Sequence, residues 1–306
     1  MQYVTLGDLL VSQISLGTAP FGSRVDKETA FAIMDRYVDF GGNFLDSAAV
    51  YGMGLSEETI GKWLQARGAR ERVFISTKGC HPSVPDFAPR LTKEALTFDI
   101  ERSLQLLQTE YVDVYFLHRD DTRLSVEDIM PMLHSLILSG KVRMLGASNW
   151  TAQRIKEAND FARANGMTPF ATSQIFWNGA LINEKSIPDQ TLICMNETEH
   201  EGYKALKMPV MAYTSQAQGL FSHIAQKGFD GISDALKRDY LNDVTRRRAE
   251  RILAISKETG ISPTAISLTY LLEDEVKAIP VAFTSTPHRI DEIMQVYDVP
   301  KGILHT

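Results

Sequence analysis

Short runs of β-branched and aromatic residues alternate with longer stretches of helical periodicity along the whole chain, and this alternation constrains the fold most strongly. Eight runs have the length and composition of strands buried on both faces. They are residues 14–17, 43–46, 73–78, 112–118, 142–148, 170–174, 210–214 and 278–283. Such strands separated by helices predict a parallel sheet, and eight strand–helix units predict closure into a (β/α)8 barrel.

The segments between the runs carry helix signals. Residues 26–40 place an apolar stripe on one helix face, formed by Ala30, Ile33, Met34, Tyr37 and Val38. Helices are also predicted over 56–66 and 92–107, with the hydroxyls of Ser56 and Thr92 as caps. Glycines that suit left-handed helix ends follow predicted helices at Gly41, Gly42, Gly140 and Gly166. Segment 214–277 is long enough to predict an added loop and helix over the top of the barrel.

An open doubly wound sheet is the alternative fold. The first strand–helix turn reads LGTAPFG, and the chain contains neither a GxGxxG fingerprint nor a GxxxxGK[ST] loop. These absences favour the barrel. A length of 306 residues suits one α/β barrel, so residues 1–306 are predicted to form a single domain.

The composition excludes several classes of function. The net charge is −6, from 32 Lys+Arg against 38 Asp+Glu, so nucleic acid and anionic membranes are not expected partners. No secretory signal pattern or apolar stretch of membrane-spanning length occurs, which predicts a cytoplasmic protein. Cys80 and Cys194 lack CxxC spacing and are predicted to be free thiols. Cys80 and His81 together supply too few ligands for a metal, so no metal site is expected.

Four ionisable side chains occur at or just after the ends of three strand runs. Asp46, Lys78 and His118 end their runs, and Tyr51 follows Asp46 by five residues. Because the carboxyl ends of barrel strands converge around the axis, we expect these four side chains to form one site. Polar or aromatic residues also end later strands on the same rim, namely Ser148, Asn149, Gln174 and Tyr213.

Motifs over nearly the whole chain resemble those of the aldo-keto reductases. The similarity rests on LGTAPFG near the N-terminus, GGNFLDSAAVYGMGLSEETIGKWL around Asp46 and Tyr51, STKG at Lys78, YVDVYFLHRDD at His118 and VRMLGASNW at Ser148. The resemblance implies a (β/α)8 barrel that reduces the carbonyl group of a small molecule with NADPH.

The chemistry of the four residues fits that reaction, because a carbonyl needs a proton on oxygen as hydride reaches carbon. We expect Tyr51 to be the proton donor, with His118 as the second candidate. Lowering a tyrosine pKa from about 10 to about 7 takes roughly 4 kcal/mol. One ammonium about 4 Å away supplies about that amount at an effective dielectric of about 20, so Lys78 alone is expected to suffice. Asp46 would keep Lys78 charged, and His118 would donate a hydrogen bond to the substrate carbonyl.

The resemblance also implies where the cofactor binds. Ser148, Asn149 and Gln174 match residues that bind the nicotinamide carboxamide, and Tyr213 matches the ring stacked on the nicotinamide. The first-strand turn near the ribose corresponds to Thr18 and Ala19. The loop around the pyrophosphate corresponds to Ser215, Gln216, Gly219 and Leu220. Near the adenosine, the matching positions are Thr284, Ser285, Arg289 and Glu292.

The resemblance implies NADP as the cofactor, because Arg289 matches the arginine that contacts the 2'-phosphate, and the fork of an arginine suits that group. NAD is the alternative, since many relatives carry a further cation a few residues before this arginine, whereas here the window reads Ala282-Phe283-Thr284-Ser285.

An open substrate pocket is expected, because the chain stops at Thr306, soon after the last predicted helix. Besides Tyr51, aromatic candidates for its lining are Phe21, Trp150, Trp177 and Phe221. An aldehyde, a ketone or a sugar carbonyl would fit, and the sequence does not choose among them.

Two other functions stay open. A class I aldolase could use the same barrel with Lys78 as the Schiff-base lysine, which requires an uncharged amine. A regulatory subunit could bind the cofactor with little turnover. The sequence predicts neither the oligomeric state nor the direction of the reaction.

Overall fold

The computed structural model describes residues 1–83 and 87–304. Ten strands occur in this part of the chain: β1 (Tyr3–Leu6), β2 (Leu9–Ser12), β3 (Ser15–Gly17), β4 (Phe44–Asp46), β5 (Phe74–Gly79), β6 (Val112–Leu117), β7 (Val142–Ser148), β8 (Phe170–Phe176), β9 (Val210–Tyr213) and β10 (Ala278–Ala282). Strands β3 to β10 are parallel and close into a barrel, with β10 paired to both β9 and β3. The predicted (β/α)8 barrel is confirmed, and each predicted run overlaps one barrel strand.

The helices surround this barrel. Their bounds are α1 (Lys27–Asp39), α2 (Leu55–Arg67), α3 (Lys93–Leu107), α4 (Val126–Leu138), α5 (Ala152–Ala164), α6 (Glu197–Leu206), α7 (Leu220–Lys227), α8 (Asp234–Tyr240), α9 (Asp243–Thr259), α10 (Pro263–Leu272) and α11 (Arg289–Met294). Short 3₁₀ helices lie at Tyr51–Gly54, Arg70–Arg72, Glu184–Ser186, Ala217–Gly219 and Gln295–Asp298. The buried apolar faces of the helices and strands form one large core outside the barrel wall.

An antiparallel hairpin of β1 and β2 closes the end of the barrel where the strands begin. Its inward residues pack against side chains inside the barrel, including Phe44, Met144 and Ile279. Asn43, just before β4, accepts a hydrogen bond from the Ser12 amide at 2.6 Å. Sequence reasoning missed this hairpin, although Gly7-Asp8 between two alternating apolar segments is a recognised turn signal. The opposite end of the barrel is therefore the one available to a ligand.

The long segment between β9 and β10 contains more than the single added helix that the sequence predicts. Helices α7, α8 and α9 precede α10, which packs on β10. Their apolar residues form a second cluster that includes Phe176, the last residue of β8, and Cys194. The insertion thus lies beside the ligand-accessible end of strands β8 and β9.

Of the two predicted hydroxyl caps, one is confirmed and one is wrong. Thr92 accepts a hydrogen bond from the amide of Ala95 and caps α3. The α2 helix instead begins after Gly54, which has φ of 100°, and no side chain caps it. Ser56 is fully buried, and its hydroxyl donates to the Thr18 carbonyl at 2.9 Å. This hydroxyl joins the helix to the barrel rim rather than capping it.

Candidate active site

A buried ion pair between Asp46 and Lys78 lies at the ends of β4 and β5. The Lys78 Nζ is 2.9 Å and 2.8 Å from the two carboxylate oxygens of Asp46, and it donates to the Ser47 carbonyl at 2.7 Å. Both side chains are almost completely buried. Asp46 Oδ1 also accepts from the Ser76 hydroxyl at 2.7 Å and from Gln174 Nε2 at 2.9 Å. All three ammonium protons therefore have acceptors, which is the condition for keeping a charge in a buried site.

Strand geometry explains why these groups meet. Asp46 is paired with Ser76 across β4 and β5, and Lys78 lies two residues further along β5. Side chains two apart on a strand share a face, so Ser76 and Lys78 both reach Asp46. Thr77, between them, points away and donates to the buried Glu57 at 2.6 Å.

The segment after β4 carries Tyr51 along the end of β5. The amide of Ala49 donates to the Lys78 carbonyl at 3.0 Å, and the Tyr51 amide donates to Ala48 at 3.0 Å. Gly52, Met53 and Gly54 then adopt positive φ of 57°, 55° and 100°. A left-handed methionine is strained, and such strain is typical of sites where the surrounding structure fixes a neighbouring side chain.

This local structure places the ring of Tyr51 between a cation and an imidazole. Lys78 Nζ lies 5.1 Å from the ring centre of Tyr51, and the ring of His118 meets it edge to face with 6.0 Å between centres. The structure thus brings together all four residues that the sequence predicts to form one site.

The pKa of Tyr51 differs from the expectation. Burial raises this pKa above its ordinary value, Lys78 lowers it, and Asp46 raises it again. Burial also lowers the pKa of Lys78, but Asp46 and Tyr51 outweigh that effect and leave it above its ordinary value. The prediction that Lys78 alone brings the phenol near neutrality is therefore wrong, because it omits burial and the opposing carboxylate. Tyr51 is protonated at neutral pH and can act as an acid.

His118 is a neutral imidazole. Burial, and then the charges of Lys78 and Arg119, hold the pKa of His118 well below its ordinary value. Its Nδ1 is buried and has no hydrogen-bond partner among the described residues. A neutral ring has one N–H to donate, as a hydrogen bond to a carbonyl oxygen requires.

Sequence reasoning missed two residues beside His118. The ring of His81 lies edge to face with His118, with 4.7 Å between centres, and its Nδ1 is 2.8 Å from the Pro82 carbonyl. Arg119 donates to the His118 carbonyl at 2.8 Å. The sequence offers His81 too few partner ligands for a metal site, and the one available signal for a place beside His118 is its position three residues after Lys78.

Polar groups that could hydrogen-bond to an amide lie at the ends of β7, β8 and β9. Asn149, with φ of 59°, donates through Nδ2 to the Ser148 hydroxyl at 3.0 Å. Its Oδ1 accepts a hydrogen bond from the Tyr213 hydroxyl at 2.7 Å, and this bond helps to orient the Tyr213 ring. In the described part of the chain, the Gln174 side-chain oxygen accepts no hydrogen bond. Ser148, Asn149, Gln174 and Tyr213 thus form a continuous polar edge beside Asp46.

Comparison with known proteins identifies the family of this chain. Residues 13–302 match the aldo/keto reductase family. The chain belongs to the aldo-keto reductase family. Its similar relatives include the aryl-alcohol dehydrogenase [NADP(+)] of Phanerodontia chrysosporium, at 29% identity over 89% of this chain and 75% of that protein.

Two further relatives cover a similar extent. The norsolorinic acid reductase of Aspergillus flavus is 29% identical over 89% of this chain and 70% of its own length. The uncharacterized oxidoreductase YrpG of Bacillus subtilis is 29% identical over 98% of this chain and 92% of its own. The chain is therefore a member of an oxidoreductase family over nearly its whole length.

The loop after β9 in this aldo-keto reductase has an unusual backbone. Thr214, Ala217, Gln218 and Gly219 have positive φ of 55°, 47°, 56° and 78°. The Ser215 hydroxyl donates to the Val281 carbonyl at 2.7 Å, and Gln216 Oε1 accepts from the Phe283 amide at 2.8 Å. These bonds join the loop to the segment after β10. Gly219 caps α7, and Leu220, its first residue, is buried in the second cluster.

The segment after β10 presents an unpaired cation. Within the described residues, the Arg289 side chain is exposed and has no hydrogen bond or ion pair. Glu292, one turn further along α11, and Ser285 are also exposed. The Thr284 hydroxyl donates to the Thr286 carbonyl at 3.0 Å and so shapes the turn before the arginine.

The two residues of the turn after β3, Thr18 and Ala19, differ in exposure. Thr18 is fully buried, and its hydroxyl lies 2.9 Å from the Asp46 carbonyl and 2.8 Å from the Ser56 hydroxyl. Ala19 is exposed at the rim. Of these two residues, only Ala19 is accessible to a ligand.

The predicted pocket aromatics lie mainly in the packed core. Phe21 and Trp150 are completely buried, and Trp177 and Phe221 are 8% and 2% exposed. Their contact with a substrate stays a prediction. A cavity of about 450 Å³ lies nearby, between Asn149, the start of α5 and the segment before Cys194.

Cys80 and Cys194 are buried free thiols, as predicted, and burial raises the pKa of each to about 12. Across residues 1–83 and 87–304, no helix has the length and apolar character needed to cross a membrane.

Proposed function

We propose that this chain is an NADP(H)-dependent oxidoreductase that interconverts a small aldehyde or ketone and its alcohol, with Tyr51 as the general acid and base. The observation that carries the proposal is the contact of the Tyr51 ring with both the buried Lys78–Asp46 pair and the neutral His118. A protonated phenol, a fixed cation and a hydrogen-bond donor are the groups that carbonyl reduction needs.

Each side chain has a separate part in the reaction. When bound, the nicotinamide cofactor supplies the hydride. Tyr51 gives its proton to the carbonyl oxygen, and its raised pKa keeps that proton available at neutral pH. Lys78 limits the cost of the phenolate that remains, and Asp46 keeps Lys78 charged and directed. His118 donates to the carbonyl oxygen and directs it toward Tyr51.

The residues present fit a nicotinamide dinucleotide. Ser148, Asn149 and Gln174 would bind the carboxamide. The Tyr213 ring, whose hydroxyl donates to Asn149, would stack on the nicotinamide. In the loop Ser215–Leu220, the residues Ala217, Gln218 and Gly219 have left-handed conformations, and backbone of this kind can form a concave anion site. The Ala217 and Gly219 amides donate within the loop, which leaves the Gln218 amide among these three for an anion.

The exposed, unpaired Arg289 would bind the 2'-phosphate, which favours NADP over NAD. The NADP(+) in the name of the aryl-alcohol dehydrogenase relative supports the same choice. That relative also favours aromatic carbonyls as the first substrates to test. The cytoplasmic location stays a prediction.

The aldolase alternative is not supported. Lys78 donates to three oxygens and its pKa is raised, so the uncharged amine required for a Schiff base is disfavoured.

The direct test follows NADPH absorbance at 340 nm with a panel of aromatic and aliphatic aldehydes, diketones and sugars. We expect oxidation of NADPH with at least one carbonyl class and slower turnover with NADH. Tight NADPH binding, measured by tryptophan fluorescence, without turnover on any member would favour the regulatory-subunit alternative. Absence of both binding and turnover would refute the proposed function.

A further inference from the structure

Arg119 connects the catalytic histidine to a distant loop. Its Nη1 donates to the His118 carbonyl at 2.8 Å, its Nε to the Thr191 hydroxyl at 3.0 Å and its Nη2 to Asp189 at 3.1 Å. The side chain is only 10% exposed. Donors that point in three directions from one rigid plane are specific to arginine, because a lysine amine has no such fork.

The loop held by Arg119, residues 189–193, is also hydrogen-bonded to Asn149, one of the residues proposed to bind the carboxamide. The Ile193 amide donates to Asn149 Oδ1 at 3.2 Å, and the Ile193 carbonyl accepts from Phe176 at 3.0 Å. Asn149 in turn places its Nδ2 at 3.4 Å from the His118 carbonyl. Arg119 and Asn149 thus approach the same oxygen from two sides of the site.

His118 depends on its main chain for orientation. Functional histidines are usually oriented by a hydrogen bond from one ring nitrogen to a carboxylate or a carbonyl. In the described residues, His118 Nδ1 has no such partner. The ring makes edge contacts with Tyr51 and His81. The hydrogen bonds to the His118 carbonyl therefore fix the main chain from which the imidazole projects.

We propose that Arg119 is a positioning residue for carbonyl reduction: it holds the main chain of His118 against the segment Asp189–Thr191. This inference rests on the proposed function. The charged groups that act on the pKa of Tyr51 are Lys78, Asp46 and Arg119, and the neutral His118 contacts its ring. Arg119 lowers the pKa of Tyr51, although less than Lys78 does, and it also lowers the pKa of the neighbouring His81.

The test compares Arg119→Met, Arg119→Lys and the control Arg123→Met. Arg123 lies in the same loop, but its side chain is 67% exposed and pairs with Asp121. We expect Arg119→Met to lower kcat/KM for an aldehyde about 10- to 100-fold while the NADPH dissociation constant changes less than about threefold. It should also move the pH profile of alcohol oxidation upward. Arg119→Lys should have the wild-type pH profile but a kcat/KM below that of the wild type. Arg123→Met should match the wild type in both.

Amide hydrogen exchange gives a readout that does not need turnover. Exchange over residues 189–193 should speed up in Arg119→Met and stay unchanged in Arg123→Met. Unchanged exchange would overturn the inference whether or not the chain is a reductase. Faster exchange with wild-type kcat/KM would overturn it too, since Arg119 would then hold the loop without positioning His118. A wild-type chain without turnover would refute the proposed function instead, and exchange would still decide whether Arg119 holds the loop.

Discussion

The two ends of the proposed ligand site are organised differently. At the catalytic end, Asp46 and Lys78 are buried, and every ammonium proton already has an acceptor. At the adenosine end, Arg289 and Glu292 are exposed on a short helix, and Arg289 is unpaired within the described chain. The fold therefore preorganises the proposed catalytic groups, whereas the proposed contact of Arg289 with a phosphate forms only when the cofactor binds.

The difference follows from what each end must do. A buried charge needs a fixed partner, because an ammonium left alone in the barrel would lose its proton or destabilise the fold. An exposed guanidinium stays charged without one and remains available to an anion. Substitutions at the two ends should consequently affect different quantities, rate at one and affinity at the other.

Replacing Tyr51, the proposed proton donor, should give the largest effect and would distinguish most clearly between an effect on rate and an effect on cofactor affinity. In Tyr51→Phe we expect kcat for carbonyl reduction to fall about 1,000-fold, because the ring stays but the acidic proton is lost. NADPH affinity, measured by fluorescence quenching, should change less than about threefold. Tyr3→Phe, at an exposed phenol in the β1–β2 hairpin at the opposite end of the barrel, is the control for losing a tyrosine hydroxyl. Equal turnover in Tyr51→Phe and wild type would assign the proton to another donor, with His118 the first to test.

The catalytic end could be predicted from the sequence because strand order determines it. Asp46 and Lys78 end adjacent parallel strands, so their meeting follows from the barrel alone. The pKa of Tyr51 did not follow, because burial and the opposing carboxylate depend on packing in three dimensions. Arg119 was missed for a similar reason, since its partner Asp189 lies 70 positions away in an irregular segment. The β1–β2 hairpin, by contrast, carries a local turn signal and could have been predicted.

Removing the exposed cation should affect affinity and leave the rate intact. For Arg289→Met we expect the dissociation constant of NADPH to rise about 10- to 100-fold, the loss of one charge-assisted phosphate contact. Saturating kcat and the affinity for NADH should stay within about threefold of wild type. Arg72→Met, an exposed arginine just before β5 and so at the opposite end of the barrel, is the control. Equal losses for NADPH and NADH would show that Arg289 does not read the 2'-phosphate.

The smallest expected effect concerns pH and tests whether burial at the catalytic end has a cost in stability. The pKa of His118 is lowered in the fold, so between that value and about 6.5 the unfolded chain binds the extra proton. Stability should therefore be complete above pH 6.5 and decline as the pH falls, by at most about 1.4 kcal/mol per pH unit from this residue. His81 contributes with the same sign. Urea unfolding at pH 7.0 and 5.5 should show a smaller decline in His118→Gln than in wild type, whereas the exposed His288→Gln should match wild type. An identical decline in all three proteins would mean that His118 takes up its proton in the folded state as readily as in the unfolded one.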